Sequence, residues 1–337
     1  MLKKVEIKNF GPLDELNWRD LGLINLIIGA NGAGKTFLLK ILYSAMRTME
    51  EYKRGDDLRT AADILADKLY WTFQPDRIGD LVAKGADDGL SCRITFEQND
   101  FIYSFGKDTT KQISYLENNV SPRSSNSIFL PAKEILSLDQ IILKSREQDK
   151  TFGFDDTYLD LARALRLSPR GGKIFTEFAK SRRSLEAILG GRVEYDEESG
   201  RWQFKKKNQK FPIGVTAEGT KKIAILDTLL SNRYLNTDSI VFIDEPESAL
   251  HPVAISKFLD IVALLAECGI QFFLSSHSYF VVKKLFLIAQ KNEMSIPVIS
   301  AQDGTWRPEN LRDGMPKNSI IDESIRLYKE EVEETLK

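Results

Sequence analysis

Gly29-Ala30-Asn31-Gly32-Ala33-Gly34-Lys35-Thr36 is the stretch that decides the fold of this 337-residue chain. It matches the pattern G-x-x-x-x-G-K-[ST] at every fixed position. An apolar run, residues 23–28, precedes it, and apolar residues at helical spacing follow it from Phe37. A glycine-rich turn between a buried strand and a helix lets backbone N–H groups approach phosphate oxygens closely. The sequence therefore predicts an α/β fold of the P-loop NTPase class.

The same loop predicts how a nucleoside triphosphate is held. Lys35 is expected to neutralise charge on the β- and γ-phosphates, which gives it a catalytic role, and Thr36 is expected to offer its hydroxyl to Mg²⁺. The predicted nucleotide-binding residues of the loop are Asn31, Gly32, Ala33, Gly34, Lys35 and Thr36.

A second apolar strand, residues 239–243, carries two carboxylates at its end, Asp244 and Glu245. Ligands bind at the C-terminal ends of strands in an open parallel sheet. We expect Asp244 to hold Mg²⁺ through water and Glu245 to orient or deprotonate the attacking water. An acidic pair in this place also commonly caps the next helix. Taken with the phosphate-binding loop, the pair predicts a hydrolase.

Two further segments indicate which class of P-loop ATPase the sequence resembles. Glu245-Pro246-Glu247-Ser248-Ala249-Leu250-His251-Pro252 and Phe272-Phe273-Leu274-Ser275-Ser276-His277-Ser278 resemble the Walker B, D-loop and switch-histidine segments of ABC-type ATPases. They are most similar to the Rad50/SMC, RecF and OLD branch, as is Lys8-Asn9-Phe10. The resemblance covers about residues 1–45 and 210–290. It implies an ABC-type nucleotide-binding domain with an antiparallel β lobe and a helical insertion, with ATP and Mg²⁺ as cofactors.

The resemblance also implies a dimer. Two copies of the chain would enclose two ATP molecules head to tail, each phosphate-binding loop facing the signature motif of the other copy. Thr216-Ala217-Glu218-Gly219-Thr220-Lys221-Lys222 occupies the place of that motif. The family's serine would fall on Ala217, so Thr216 or Thr220 would have to supply the hydroxyl. A plain helix cap is the alternative interpretation of this segment.

Other residues receive roles from the same resemblance. His277 would be the switch histidine that contacts the γ-phosphate, and His251 would serve communication between copies. Lys8 and Asn9 would join Gly219 and Thr220 among the nucleotide-binding residues. The Q-loop has two candidates, Gln74 in Phe73-Gln74-Pro75, or Lys133 and Glu134 in Pro131-Ala132-Lys133-Glu134. Chain order favours the second.

The chain is expected to form a single ATPase domain over residues 1–337. Its core lobe would comprise about 1–45 and 210–300, and a β and helical lobe would be inserted at about 46–209. Hairpins are predicted near 92–116 and 193–204, and helices over 135–190 with a break at Pro169-Arg170-Gly171-Gly172. A final helix, about 318–337, would dock on the body or on a partner through its apolar residues, Ile321, Ile325, Tyr328 and Val332.

The charge composition limits how the chain could bind DNA. The net charge of −2, from 47 Lys and Arg against 49 Asp and Glu, means that any DNA contact would be confined to a patch. The best patch is Lys205-Lys206-Lys207 beside Trp202 and Phe204. Solvated faces are the commoner interpretation of this and the other basic clusters, Arg182-Arg183, Lys221-Lys222 and Lys283-Lys284.

Cysteine content and hydropathy together predict the cellular compartment of the chain. Two cysteines are too few for a disulfide framework or a zinc site. There is no apolar run of 18 residues and no signal-peptide pattern, so we expect a cytoplasmic chain without membrane contact.

Missing features narrow the function. The sequence shows no long coiled coil and no Cys-x-x-Cys hook, and no acidic motifs of a nuclease follow His277. It therefore resembles stand-alone AAA15/AAA21-like ATPases of anti-phage systems such as Septu, whose effector nuclease is a separate polypeptide. We expect an ATPase switch that gates a separately encoded effector. The alternatives are a DNA nuclease with its active site in the insertion, and a RecF-like DNA-binding ATPase of recombination and repair.

Overall fold

The computed structural model describes residues 1–168, 178–302 and 304–336, which form fourteen strands and nine α-helices. The strands are β1 (Leu2–Phe10), β2 (Leu13–Trp18), β3 (Ile24–Gly29), β4 (Leu90–Phe96), β5 (Asn99–Phe105), β6 (Tyr115–Asn118), β7 (Ser127–Leu130), β8 (Arg192–Asp196), β9 (Arg201–Lys206), β10 (Gln209–Pro212), β11 (Ile240–Asp244), β12 (Gln271–Ser276), β13 (Pro297–Gln302) and β14 (Thr305–Asn310). The helices are α1 (Lys35–Glu51), α2 (Ala61–Phe73), α3 (Asp139–Leu143), α4 (Asp156–Leu165), α5 (Ala179–Leu189), α6 (Glu218–Ser231), α7 (Pro252–Glu267), α8 (Tyr279–Lys291) and α9 (Ser319–Thr335). The predicted helix break at Pro169-Arg170-Gly171-Gly172 lies outside the described ranges. None of the helices within those ranges is long and apolar enough to cross a membrane.

Six strands form the central sheet, in the order β14-β13-β3-β12-β11-β7. The last five run parallel, and β14 is antiparallel to β13. Every residue of β3, β11 and β12 is buried, as is typical of a parallel sheet covered on both faces. Asp244 is in register with Ser275, and Ser276 with Ile28. The C-terminal ends of these three strands therefore meet at one edge.

The hydrophobic core lies on both faces of this sheet. Leu26 and Ile28 of β3 pack on one side with apolar residues of α6, α7 and α8. Ile27 and Phe273 pack on the other side with α1 and the β lobe. The helix that begins at the phosphate-binding loop thus shares a core with the β lobe.

The β lobe is a five-stranded antiparallel sheet in the order β2-β1-β4-β5-β6. Burial alternates along β5, which is the pattern of a sheet with one face on a core. Its buried face carries large aromatic side chains, among them Phe10, Trp18 and Tyr103. The predicted antiparallel hairpin near 92–116 is confirmed as part of this sheet.

Strand pairing cuts across the predicted lobe boundaries. β7 lies inside the predicted insertion, 46–209, but it pairs with β11 as an edge strand of the central sheet. β1 and β2 lie in the predicted core segment, 1–45, but β1 pairs with β4 of the insertion. The reason is that sheet membership depends on which backbone supplies the hydrogen bonds, and chain order does not specify that partner.

A smaller sheet, in the order β10-β9-β8, contains the second predicted hairpin and adds a third strand to it. Val193, Tyr195 and Phe204 pack against the core from this sheet. Trp202 is buried, and its Nε1 donates to Asp139 at 3.0 Å. Trp202, one of the two aromatic residues predicted to lie beside the lysine cluster 205–207, is therefore not available to stack on a base.

The last helix, α9, is predicted to dock on the body or on a partner through its apolar side, and most of this side does not contact the described part of the body. Ile321 is buried at its base, where α9 packs near α8. Ile325, Tyr328 and Val332 are 48%, 66% and 38% exposed. Among the described residues, α9 thus meets the body through its first turn, and docking of the rest of the helix on a partner stays a prediction.

Ion pairs between buried charged side chains connect the insertion to α1. The Lys68 ammonium of α2 lies 2.9 Å from Glu51 of α1 and within 3.4 Å of Asp156 and Asp160 of α4. Lys68 is 8% exposed, so solvent screens these pairs weakly. The three helices therefore share Lys68, together with Arg47 of α1, which lies 2.9 Å from Glu51 and 3.4 Å from Asp160.

Replacing Lys68 by Met should lower the free energy of unfolding by about 3 kcal/mol, since it removes one cation from a buried cluster and leaves only Arg47 and Arg146 to pair with its carboxylates. Urea denaturation measures the loss. Lys257→Met, at an exposed position of α7, is the matched control and should change stability little. Equal effects of the two substitutions would contradict the role given to Lys68.

Candidate functional site

The phosphate-binding loop ends in an open helix N-terminus. Gly34 is the N-cap of α1, with φ 91°, and no side chain caps the helix. The backbone N–H groups of the first turn are therefore available to an anion. A Cβ at Gly34 would lie 3.0 Å from Pro12, so both its φ and its surroundings require glycine.

The turn between β1 and β2 covers this loop. Pro12 lies against Gly34, and Gly11 lies against the ring of Phe37. Lys8 and Asn9 precede the turn, where the Asn9 amide donates to the Gly89 carbonyl at 3.3 Å and Lys8 lies 4.0 Å from Glu15. The structure therefore places these two predicted nucleotide-binding residues in the β lobe, beside the turn that covers the loop.

The hydroxyl of Thr36 and the carboxylate of Asp244 are in direct contact. The Thr36 Oγ1 atom donates to Asp244, with distances of 3.0 Å to Oδ1 and 2.9 Å to Oδ2. The Ser275 hydroxyl, on the neighbouring strand, also donates to Asp244. Mg²⁺ prefers oxygen ligands, often few of them from protein. These residues fit a Mg²⁺ ion that is held by Thr36 and Asp244.

Lys35 lies over the loop with its ammonium close to the acidic strand end. Its Nζ donates to the carbonyls of Gly29 and Ala30, both at 2.9 Å. Burial lowers the pKa of the Lys35 ammonium, and the nearby carboxylates, first that of Glu245 and then that of Asp244, oppose this shift. The lysine thus places a cation between the glycine loop and the carboxylates.

Glu245 and His277 meet at the end of the sheet. The Nδ1 atom of His277 lies 3.1 Å from Oε1 of Glu245. Glu245 has φ 48°, a left-handed conformation that is strained for a residue with a side chain. Its N–H donates to the Ser275 carbonyl at 3.0 Å, which holds the turn against the neighbouring strand. The predicted base and the predicted switch histidine are therefore adjacent.

Glu247 supports this pair, a role that sequence reasoning missed. Its Oε1 accepts from the Ser276 hydroxyl at 2.7 Å and from the His277 N–H at 3.3 Å. The spacing of Glu247 two residues after Glu245 was visible in the sequence. The partners on the next strand were not visible there.

Lys222 of α6 was also missed. It is 4% exposed, and its Nζ donates to the carbonyl of Glu245 at 2.6 Å. Its neighbour Lys221 bonds to Glu134, Ser137 and Glu218. The interpretation of Lys221-Lys222 as a solvated basic cluster is wrong, because each ammonium has acceptors in a neighbouring segment.

The predicted signature segment begins α6. Its N-cap is Ala217, without a side-chain hydrogen bond, so no side chain caps the first N–H groups of the helix, and the assignment of this segment as a signature motif stays a prediction. A Cβ at Gly219 would lie 2.6 Å from Leu250 Cδ2 and 2.8 Å from the Ala249 carbonyl. Gly219 therefore packs on the D-loop of its own chain, and Thr220 beside it is half-buried.

His251 caps α7, since its Nδ1 accepts from the Val253 N–H at 3.3 Å.

Gln74, the first Q-loop candidate, forms hydrogen bonds through both ends of its side-chain amide, to Gly153 and Phe154 in the insertion. The second candidate follows β7, the neighbour of β11, and its Glu134 accepts from Lys221 at 3.0 Å. Of the two candidates, the structure brings Lys133 and Glu134 to the edge that carries Asp244.

In the described part of the insertion, and elsewhere in the described chain, no group of three or more His, Cys, Asp or Glu side chains is arranged to hold a metal ion.

Comparison with known proteins agrees with this geometry. A family model described as "AAA domain, putative AbiEii toxin, Type IV TA system" matches residues 24–283. No curated protein sequence matches the chain. An SMC head bound to the C-winged helix domain of ScpA is similar in structure, with a TM-score of 0.54 at 15% identity over 92% of this chain and 97% of that chain. An SMC head with an extended coiled coil, bound to the C-terminal domain of ScpA from Pyrococcus furiosus, gives 0.50 at 12% identity over 98% of each chain. The fold is that of ABC-type P-loop ATPase heads.

Lys222 should give stability a specific pH dependence. Burial lowers the pKa of Lys222 from 10.5 to about 8. Between these values the unfolded chain binds more protons than the folded chain, so this residue's contribution to stability rises with pH. Relative to Lys222→Met, the wild type should gain about 2–3 kcal/mol between about pH 8 and pH 10. Urea denaturation at both pH values measures this gain, with Lys257→Met as control. A difference between wild type and Lys222→Met that is constant with pH would rule out the buried cation.

Proposed function

The chain belongs to the AAA-domain family whose description names the AbiEii toxin of a type IV toxin–antitoxin system, and on that premise we propose that it is an ATP-hydrolysing switch. The switch closes head to tail with a second copy of the chain. It gates a separately encoded effector in bacterial anti-phage defence. The observation that carries the proposal is the meeting of Thr36, Asp244, Glu245 and His277 at one edge of the central sheet, beside the phosphate-binding loop.

Hydrolysis follows from the positions of these groups. The loop N–H groups and Lys35 bind the phosphate oxygens, and Glu245 accepts a proton from the attacking water. The water oxygen forms a bond to the γ-phosphorus, and the bond from that phosphorus to the β–γ bridging oxygen breaks, giving ADP and phosphate. Thr36 and Asp244 would hold Mg²⁺, which would supply positive charge against the phosphate oxygens.

His277 couples this chemistry to the body of the protein. It lies beside Glu245, and Glu247 holds its backbone N–H. The next residue is the N-cap of α8. A contact of the imidazole with the γ-phosphate would therefore be lost on hydrolysis, and the loop that leads into α8 would be released.

The start of α6 supports closure around ATP by a second copy. Its first N–H groups have no side-chain cap, and Ala217 and Glu218 are exposed. An uncapped helix N-terminus favours an anion, and the γ-phosphate bound by another copy would supply one. Ala217 stands where the family has serine, so the hydroxyl would come from Thr216 or Thr220, both half-buried.

A separate effector is supported by two observations. The described residues show one centre of catalytic groups, at the edge of the central sheet, and no further metal-binding cluster. The similar SMC heads are bound to domains of another protein, ScpA. A chain with this fold can thus present a surface to a separate partner protein.

Glu245→Gln should slow ATP hydrolysis by about a hundredfold or more, because it removes the base while keeping the side-chain shape. With ATP the variant should elute at twice the mass that it shows without nucleotide. Light scattering with and without ATP measures this. Glu197→Gln, in an exposed hairpin turn, is the control and should hydrolyse ATP normally. A variant that binds ATP and keeps its mass would contradict closure around the nucleotide.

The effector part is tested in cells that carry the chain with and without its neighbouring genes. Protection against phage should need both the neighbours and an intact Glu245, and the chain alone should not protect. The purified chain should leave DNA intact with Mg²⁺ or Mn²⁺. Cleavage by the chain alone would favour the nuclease alternative, and ATP-dependent duplex binding with a steep salt dependence would favour the RecF-like one.

A further inference from the structure

The last helix carries an apolar stripe that nothing in the described chain covers beyond its first turn. The α9 stripe consists of Ile321, Ile325, Tyr328 and Val332, spaced by four, three and four residues. Only Ile321 is buried, and every residue from Ile325 to Leu336 is exposed. This spacing is the heptad pattern of a helix that packs against another helix.

Such a helix needs a partner for its stability. Most helix stability in proteins comes from packing of the apolar face rather than from the helix itself, and α9 packs this face only in its first turn. Within α9, Arg326 pairs with Glu323 and Glu330, but pairs of this kind contribute only a few tenths of a kcal/mol. A covered stripe would supply the missing stabilisation.

The polar side of α9 decides which class of partner fits. It carries six carboxylates against two cations, Arg326 and Lys329, in the segment 319–335. Nucleic acids and anionic lipid surfaces attract helices with basic faces, and an acidic face is repelled by both. The occupant of the stripe is therefore a protein helix.

The spacing of the stripe is symmetric about its centre. If a second α9 lies antiparallel, Ile325 meets the partner's Tyr328, and Val332 reaches the level of the partner's Ile321, which the partner's own body covers. The two central layers, Ile325 and Tyr328, are then matched by their symmetric copies, as a two-fold interface requires. We propose that α9 pairs antiparallel with α9 of a second copy of this chain, through an interface that does not require nucleotide.

Charge favours the same arrangement. In this register Asp322 lies beside the partner's Lys329, and the symmetric pair repeats the contact. A parallel arrangement would place the acidic run of one helix beside the same run of the other, namely Glu330, Glu331, Glu333 and Glu334. Antiparallel pairing instead brings that run towards the partner's helix N-terminus, where the helix dipole favours negative charge.

The size of the interface predicts its strength. A helix of 17 residues is about 25 Å long. One pair of such helices buries less than the roughly 800 Å² per partner of a standard stable interface. The α9 pair is therefore a weak contact that forms at high protein concentration, and it adds to closure around ATP by raising the effective concentration of protomers.

Sedimentation equilibrium of the full chain without nucleotide, over a concentration series, tests the pair. Asp322→Lys and Lys329→Asp alone each put like charges opposite one another, and each should weaken association by about tenfold. The double variant restores opposite charges, and its dissociation constant should return to the wild-type value. Ile325→Asp should leave only monomer.

Ile141→Asp is the matched control, since Ile141 is 57% exposed on another helix, and it should associate like the wild type. Circular dichroism and ATPase rate check that each variant is folded. The proposal is overturned if the wild type stays monomeric without nucleotide, if Ile325→Asp associates normally, or if the double variant is as weak as the single ones. ATP-driven doubling of Glu245→Gln is independent of all three outcomes, so the two interfaces can fail separately.

Discussion

The parallel register of β3, β12 and β11 is the constraint on which the site depends. Thr36 and Asp244 are 208 positions apart in the chain, yet their side chains are in contact because the strands before them end at one edge. Side chains alternate between the faces of a sheet, so a slip of one residue in β11 would carry Asp244 away from Thr36. Burial of every residue in these strands opposes such a slip, since it would exchange the two hydrophobic cores.

Gathering the strand ends concentrates negative charge, and two buried lysines balance it. Asp244, Glu245 and Glu247 lie near both Lys35 and Lys222, and burial lowers the pKa of each ammonium while these carboxylates oppose the shift. Lys222 also binds the carbonyl of Glu245, whose backbone is in the left-handed region. Since Lys222 belongs to α6, the helix predicted to face another copy's ATP is connected to the backbone of the predicted base. This connection gives the proposed closure a direct route to the chemistry.

The parts around this core are held in different ways. The insertion is fastened to α1 by buried ion pairs around Lys68, so it is expected to move with the phosphate-binding loop. Among the described residues, the helix α9 is fastened at its first turn, by Ile320 and Ile321, and offers the rest of its stripe to solvent. A fixed insertion and a projecting helix suit a protein whose nucleotide site and whose contacts with other chains lie on separate elements.

The sequence by itself determined the fold class and the chemistry of the three strand ends. Each of those sequence signals is local, because a glycine loop, an acidic pair or a histidine after a strand consists of a few adjacent residues. Tertiary structure alone decided that β7 joins the central sheet, that the Gln74 side chain bonds to Gly153 and Phe154, and that Lys222 binds Glu245. It also decided that the stripe of α9 stays exposed. These outcomes depend on which distant segments compete for the same hydrogen-bond acceptors and the same buried surface, and the periodicity of one segment does not contain that information.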